Sequence, residues 1–512
     1  MRVTSDDGIS CLSLLAFDIR RYEFYNVFLR LAVMIYLMAT THRGSVIAQI
    51  LGVLLVPIIS RLYAPEDLGV FNLFLSISGI LVVISCLSYQ LAIMLPTDDE
   101  DSINIAALCF VLVCITSFVS GGVFILLSDQ VGDALNAPDL SKYLILLPVA
   151  VLLSGLFLIM NYWLSRKVRF GTSAAAQVSN SISSKAVQIG AGVAAPSPLG
   201  LIAGCLVGDV MALLVMLRGI RKDLPLLKYV SLNKIREMAS RYKRFPIFSS
   251  WSTLANSVSV QIAPLMLASF FGPAVVGLYG MAHMVVNMPM SLIGSATGRV
   301  FFQKASEEKN RTGSVKNIVR EVHQRLVSIG IFPILALMLV GEELFAFVLG
   351  AQWAAAGEYA RILGPWLFFV FISSPLSTIF SILERQHVDL SFNILILISR
   401  IVALYVGGTY GGPILALILF SITGVIFWGW MNFYILGVSG VKFRTAMGDL
   451  GKYIFIAIVA LLPLLAVKFL SLPTYALLIA IAAVTCIYYA ILIYGDPVLK
   501  GEVKGILRGF RT

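Results

Sequence analysis

The sequence predicts an all-α polytopic membrane protein with about 14 transmembrane helices, arranged as two pseudo-symmetric six-helix lobes plus a C-terminal helix pair. Three observations carry that prediction. Of 512 residues, 59% are hydrophobic and only 13% charged, with a mean hydropathy of +0.91. Soluble domains run nearer a quarter charged, and so few charges cannot cover the surfaces of two or three soluble domains. The apolar residues fall in blocks of about 18–25, the length that crosses a bilayer as helix. The cations sit in the short segments between blocks, where a membrane protein uses them to fix its orientation.

In chain order, residues 1–24 form a cytoplasmic or interfacial extension. They carry acids and early polarity with no long apolar core ahead of Arg20-Arg21, which makes a poor signal peptide. The blocks then place spans at about 31–61, 69–95, 102–127, 142–165, 171–193 and 198–218, giving a first lobe over 25–218. A basic linker follows at 219–244. Spans at about 245–270, 274–302, 322–341, 359–383, 389–408 and 412–437 give a second lobe over 245–437. Spans at about 452–470 and 474–494 complete the helix pair and tail of 438–512. The first block is longer than one span and contains the polar run Thr40-Thr41-His42-Arg43, so it is bent or partly interfacial.

With the N-terminus in the cytoplasm, the segments on that face hold most of the 38 Lys and Arg. The exceptions are Arg43, Arg61, Lys142, Lys185, Arg361, Arg400 and Lys468. The asymmetry predicts both termini inside, in an inner-membrane protein. One loop runs against it: Pro96-Thr97-Asp98-Asp99-Glu100-Asp101 is acidic on the basic side, although acids weigh little in the orientation rule. The net charge of +11 therefore reads as membrane orientation, not as nucleic-acid binding; the 218–244 segment fits a linker drawn to anionic headgroups. The six cysteines lie almost all in apolar blocks without metal-ligand spacing and read as small buried hydrophobes.

A repeat at six-span spacing divides the chain. Pro57 lies inside the end of the first span, followed by Pro65-Glu66-Asp67-Leu68-Gly69-Val70-Phe71; Pro264 lies inside the seventh, followed by Pro273-Ala274-Val275-Val276-Gly277-Leu278-Tyr279. In each P-x-x-x-G turn the proline stops one helix and the glycine permits tight packing into the next. An offset of an even number of spans makes the repeat parallel, about an axis along the membrane normal, with a substrate path between the lobes.

These same residues carry a family resemblance. The run from Gly44-Ser45-Val46-Ile47-Ala48-Gln49 through Pro57 to Phe71 resembles the start of bacterial O-antigen and polysaccharide flippases, of the multidrug/oligosaccharidyl-lipid/polysaccharide exporter superfamily. Leu91-Ala92-Ile93-Met94-Leu95-Pro96, Tyr242-Lys243-Arg244-Phe245-Pro246 and Phe271-Gly272-Pro273 with Val276-Gly277-Leu278-Tyr279 add to it, so that it covers roughly residues 40–440. The resemblance implies export of a polyprenyl-pyrophosphate-linked oligosaccharide across the inner membrane, handed to periplasmic polymerisation machinery. Where the family often has Arg-Tyr-Glu, this chain has Ser88-Tyr89-Gln90, so the role of that ion pair does not carry over.

A cation at membrane depth is unfavourable unless it faces water, a partner or an anion. Lys185 sits near mid-depth of the fifth span on a stripe with Gln177, Asn180, Ser181, Ser184 and Gln188, and Arg400 near mid-depth of the eleventh with Asn393 one heptad before it. The two spans are counterparts under the repeat. A polyprenyl pyrophosphate suits such a pair, the guanidinium adding bidentate geometry and the ammonium a point charge. The other reading is structural, with Lys185 paired to Asp209. Arg43 either joins the cations in the lumen or marks a helix end. Asp209 is the carboxylate best placed for coupling to protons or sodium, and equally a structural partner. His283 reads as a packing histidine, and Arg361, Glu384 and Arg385 as interfacial.

No P-loop, G-x-S-x-G elbow, H-E-x-x-H or Cys/His cluster appears, so neither an ATP motor, a cofactor nor an enzymatic activity is expected. A small-molecule cation antiporter of the same superfamily is the nearest alternative; the predominantly positive mid-membrane charge disfavours cationic cargo. A membrane polymerase or ligase would need a larger outside domain than these short loops supply.

Overall fold

The computed structural model describes residues 52, 54–383, 386–470 and 474–495. Among these the regular structure is helical, without strands. We number the α-helices in chain order: α1 Val56–Leu62, α2 Pro65–Ser85, α3 Asp99–Ala134, α4 Ser141–Leu144, α5 Leu147–Arg166, α6 Phe170–Ala194, α7 Pro198–Ile220 and α8 Leu232–Arg241. Then follow α9 Ser250–Phe271, α10 Pro273–Thr312, α11 Lys316–Leu349, α12 Ala354–Ser373, α13 Ile379–Ile382, α14 Gln386–Tyr410, α15 Pro413–Val438, α16 Phe443–Phe469 and α17 Thr474–Gly495.

Eleven helices among the described residues are long and apolar enough to cross a membrane: α2, α3, α5, α7, α9, α11, α12, α14, α15, α16 and α17. The expected fourteen also include α6 and α10, which have the length but not the apolarity. Helix α6 carries the Gln, Asn, Ser and Lys stripe, and α10 has His283, Asn287 and a charged C-terminal third. The remaining expected span, 31–61, lies mostly outside the described residues, as do the 1–24 extension and Arg43.

The chain forms two compact units. The first takes Ile84–Gly121 and Leu146–Ile247 with the described residues up to Ile59; the second takes Ser60–Val83, Gly122–Ile145 and the chain from Phe248 onward. The lobes expected from the repeat follow sequence order, whereas these units follow packing.

Within the first unit, Cys86, Tyr89, Ile93, Ile105, Cys109, Ile159 and Trp163 are among the residues building an apolar core. Charge gathers at one end of it. The Arg166 guanidinium donates to the carbonyls of Ile93 (3.3 Å), Pro96 (2.7 Å) and Thr97 (3.2 Å) and to Asp99 Oδ1 (3.1 Å). Lys167 also pairs with Asp99, and Lys234 with Glu100 at 3.4 Å. Arg169 grips Asp223 through both terminal nitrogens, at 2.7 and 3.0 Å, while the Trp163 indole donates to the same carboxylate at 3.1 Å. The acidic 96–101 loop thus sits among the basic segments and neutralises part of them, which explains acids on a cationic face.

Helices α6 and α7 meet through glycines of α7. A Cβ on Gly204 would lie 2.8 Å from the Ser184 carbonyl oxygen, and one on Gly208 2.9 Å from that of Asn180. The spacing Gly200, Gly204, Gly208 is a small-residue stripe that lets two backbones touch.

The second unit contains both P-x-x-x-G turns. Gly272, at φ 80°, ends α9 in a conformation that favours glycine, and Pro273 opens α10 with a fixed φ and no N–H to satisfy. Pro65 opens α2 in the same way. The two turns clasp each other: the Pro273 carbonyl occupies the space a side chain on Gly69 would need, and the Pro65 carbonyl does the same to Gly277. Nearby, Ser60 Oγ donates to the Leu349 carbonyl (2.9 Å), and Trp353 Nε1 (2.6 Å) and Gln352 Nε2 (2.7 Å) donate to the Ser60 carbonyl.

Candidate substrate cavity

The second unit encloses a cavity of about 650 Å³ walled by α2, α9, α10, α12, α14 and α15. Helical spacing explains each wall. On α14, Asn393, Ile396 and Arg400 share one face at intervals of three and four residues; on α10, Tyr279, His283, Asn287 and Ser291 recur every fourth. Helix α2 contributes Asn72 and Ser76, and α9 contributes Asn256, Ser259 and Gln261. Ser76 Oγ donates to Gln261 Oε1 at 3.3 Å.

Arg400 is the cationic centre of this space and only 8% exposed. One terminal nitrogen donates to the Ser259 carbonyl (2.7 Å) and to Ser259 Oγ (3.0 Å). The guanidinium carbon stands 5.4 Å from the Trp366 ring and 5.5 Å from the Phe420 ring. Contacts of this kind contribute roughly 0.5–2 kcal/mol each when desolvated. None of the residues lining the cavity is Asp or Glu. The charge is therefore held by a serine and two aromatic faces, with its Nε–H unpartnered.

The aromatic wall is ordered by mutual packing. His283 stacks between Tyr279 (5.8 Å) and Trp366 (5.9 Å), and Trp366 meets Phe420 edge to face at 4.9 Å. Gly424 on α15 leaves room for the Trp366 indole, which a Cβ there would strike. His283 thus packs as expected, yet it also faces the cavity. A second cavity of about 670 Å³ shares Asn287, Ser291 and Val370 with the first and continues along α10 to Phe302.

Arg400 and Asn393 were legible as a pair, and the structure places both on the cavity. Lys185 lies in the first unit, where its ammonium donates to Gln188 Oε1 at 3.0 Å. The structural alternative, a Lys185–Asp209 pair, is not formed. Asp209 instead accepts from Asn180 Nδ2 (2.8 Å) and Ser154 Oγ (3.2 Å), which tie α7 to α6 and α5. Arg361 pairs with Glu342 at 2.9 Å on the exposed surface, in keeping with an interfacial role. Tyr89, in the departing Ser88-Tyr89-Gln90 run, donates to the Ala239 carbonyl at 2.9 Å. The reading from sequence missed Trp366, Trp428, Asn256 and Asn72. A usable signal existed in the four-residue recurrence from Tyr279 to Ser291 on α10.

A multi-pass helical fold with a buried, acid-free cationic cavity defines a membrane transporter. Residues 58–358 match the model of the family described as "Polysaccharide biosynthesis protein", and the chain belongs to that family. It is 22% identical over 307 residues to "Lipopolysaccharide biosynthesis protein WzxC" of Escherichia coli (strain K12), over 59% of this chain and 60% of that protein. To "Teichuronic acid biosynthesis protein TuaB" of Bacillus subtilis (strain 168) it is 22% identical over 148 residues, 29% of this chain and 30% of that one. The chain therefore spans no more than 60% of the length of these curated relatives. Among solved structures it resembles "Lipid II flippase MurJ, inward closed conformation", with a TM-score of 0.71, 14% identity and coverage of 91% of this chain and 100% of that one. An inward-facing multidrug resistance MATE family transporter of the MOP superfamily gives a TM-score of 0.61 at 17% identity, over 80% of this chain and 98% of that one. At such identities the likeness is one of fold.

Proposed function

We propose that this chain is a flippase that moves a polyprenyl-pyrophosphate-linked oligosaccharide, an O-antigen or capsular or exopolysaccharide repeat unit, across the bacterial inner membrane by alternating access. The Arg400 cavity carries the reading. A cation at mid-membrane is unfavourable by about 2.5–3.5 kcal/mol on insertion scales, and here no carboxylate offsets it. An anionic ligand would, and a guanidinium fork matches phosphate oxygens. Asn72, Asn256, Gln261 and Asn287 offer amide groups to sugar hydroxyls, while the polyprenyl tail stays in the bilayer. A cationic cargo finds no acidic group on these walls, which disfavours antiport of cationic drugs.

Lys185 and Arg43 are further contacts for the diphosphate at other stages of the cycle, and Asp209 is the site of proton or sodium coupling. Both termini lie in the cytoplasm, and the cargo passes outside to polymerisation machinery. No cofactor and no nucleic acid takes part. The names of the lipopolysaccharide and lipid II relatives support the lipid-linked cargo. Expression of Arg400→Ala in a strain lacking the gene, with membrane levels confirmed, tests the proposal. Loss of surface polysaccharide is expected; full polysaccharide would remove the cavity from the transport path.

A further inference from the structure

Three hydrogen-bond donors face the cavity without an acceptor among the described residues: Arg400 Nε, Trp366 Nε1 and Trp428 Nε1. Arg400 and Trp366 are 8% and 5% exposed, so bulk water does not stand in for the missing partner. A buried unpaired donor is unfavourable by about 1–3 kcal/mol, and buried indole N–H groups ordinarily find a partner. One such group is unremarkable; three on the walls of one cavity, contributed by α12, α14 and α15, form a set. Other polar atoms of the same wall are already engaged, as in Ser259 with Arg400 and Ser76 with Gln261. The free capacity of this side is therefore for acceptors.

We propose that Trp366 and Trp428 are ligand-binding residues that, with Arg400, present a donor-only wall to an acceptor-rich group of the cargo. This rests on the flippase reading and sharpens it. Two parts of a lipid-linked glycan supply that chemistry: the oxygens of the diphosphate, and the carbonyl oxygen of an acylated amino sugar next to it. Both accept hydrogen bonds at an indole N–H. The wall rejects groups that bring only donors, since an ammonium or amine here would leave every N–H unpaired and add repulsion from Arg400. The aromatic faces add packing surface for a sugar ring without altering that selection.

The test uses the full-length protein in nanodiscs, with undecaprenyl diphosphate and undecaprenyl-diphosphate N-acetylglucosamine as probes, and Kd read by native mass spectrometry. Trp366→Phe and Trp428→Phe keep a flat ring and remove only the N–H. Each is expected to weaken binding about tenfold, the loss of one hydrogen bond to a charged or strongly polar acceptor. A loss equal for both probes assigns the indoles to the diphosphate; a loss seen only with the amino sugar assigns them to its carbonyl. Unchanged affinity of both variants for both probes overturns the inference. The Arg400→Gln variant separates the two levels. If it weakens binding while the Phe variants do not, only the indole proposal fails; if the wild type binds neither probe, the flippase reading fails with it. Thermal melting of each variant reports whether the fold is intact, and a second pair, Trp366→Tyr and Trp428→Tyr, moves a donor to the ring tip and is expected to restore part of the affinity.

Discussion

Gly69 and Pro273, 204 residues apart in sequence, meet backbone to backbone: the Pro273 carbonyl fills the space where any Cβ on Gly69 would project. Pro65 and Gly277 repeat the contact with the roles exchanged. The P-x-x-x-G turns therefore recur because they are the two faces of one clasp. Gly69→Ala and Gly277→Ala force two backbones apart and are each expected to destabilise by about 1–3 kcal/mol. Gly190→Ala, where a Cβ meets nothing within 4 Å, is the matched control and should be neutral or slightly stabilising. Melting temperatures of the purified variants decide this, and a Gly69→Ala protein that melts with the control would refute the clasp.

Arg166 makes four hydrogen bonds at once, three of them to carbonyls of the segment leading into α3. Its side chain is only 11% exposed. Arg166→Lys keeps the charge but cannot span those acceptors, so both Arg166→Lys and Arg166→Ala are expected to lose about 1.5–3 kcal/mol. Equal melting of the lysine variant and the wild type would show that charge alone holds the loop.

Asp209 accepts from one amide and one hydroxyl, a pattern that Asn satisfies by donating to the serine oxygen. Asp209→Asn should leave melting unchanged, while Asp209→Ala loses about 1–3 kcal/mol. If the carboxylate couples transport to an ion, Asp209→Asn also abolishes the dependence of surface polysaccharide on the proton or sodium gradient. Retained dependence would confine Asp209 to tying helices together.

Lys185 has no carboxylate partner, so its removal strands no buried anion. Lys185→Met is expected to melt at or above the wild-type temperature, yet to lower surface polysaccharide several-fold if the ammonium meets the diphosphate during transport. Normal polysaccharide from this variant would leave the lysine a tether for Gln188.

The sequence disclosed the parts of this protein that obey simple spacing. Apolar blocks revealed the helices, the repeat revealed the turns that clasp, and an arginine at mid-block with Asn393 seven residues earlier revealed one wall of the cavity. It did not disclose the aromatic wall, because Trp366, Phe420 and Trp428 count as apolar in a hydropathy reading, whatever their N–H groups do. Nor did it show that Asp209 is engaged by Asn180 and Ser154, since Lys185 and Asp209 look complementary until side-chain geometry is known. The helix count differs for a related reason. Helices α6 and α10 line polar surface and so lack the apolarity by which the other spans are recognised. The stretches 60–83 and 122–145 join the second unit through contacts such as those of Ser60 with Leu349 and Trp353, which lie nearly 300 residues away in sequence and leave no local mark.

The central claim is that the buried Arg400 guanidinium holds an anionic, lipid-linked cargo. Its most direct measurement is the affinity of the purified protein for undecaprenyl diphosphate, compared between wild type and Arg400→Gln at matched melting temperature. Loss of at least tenfold in the glutamine variant is the predicted result, equivalent to about 1.4 kcal/mol or more. Equal affinity in the two proteins would contradict the account.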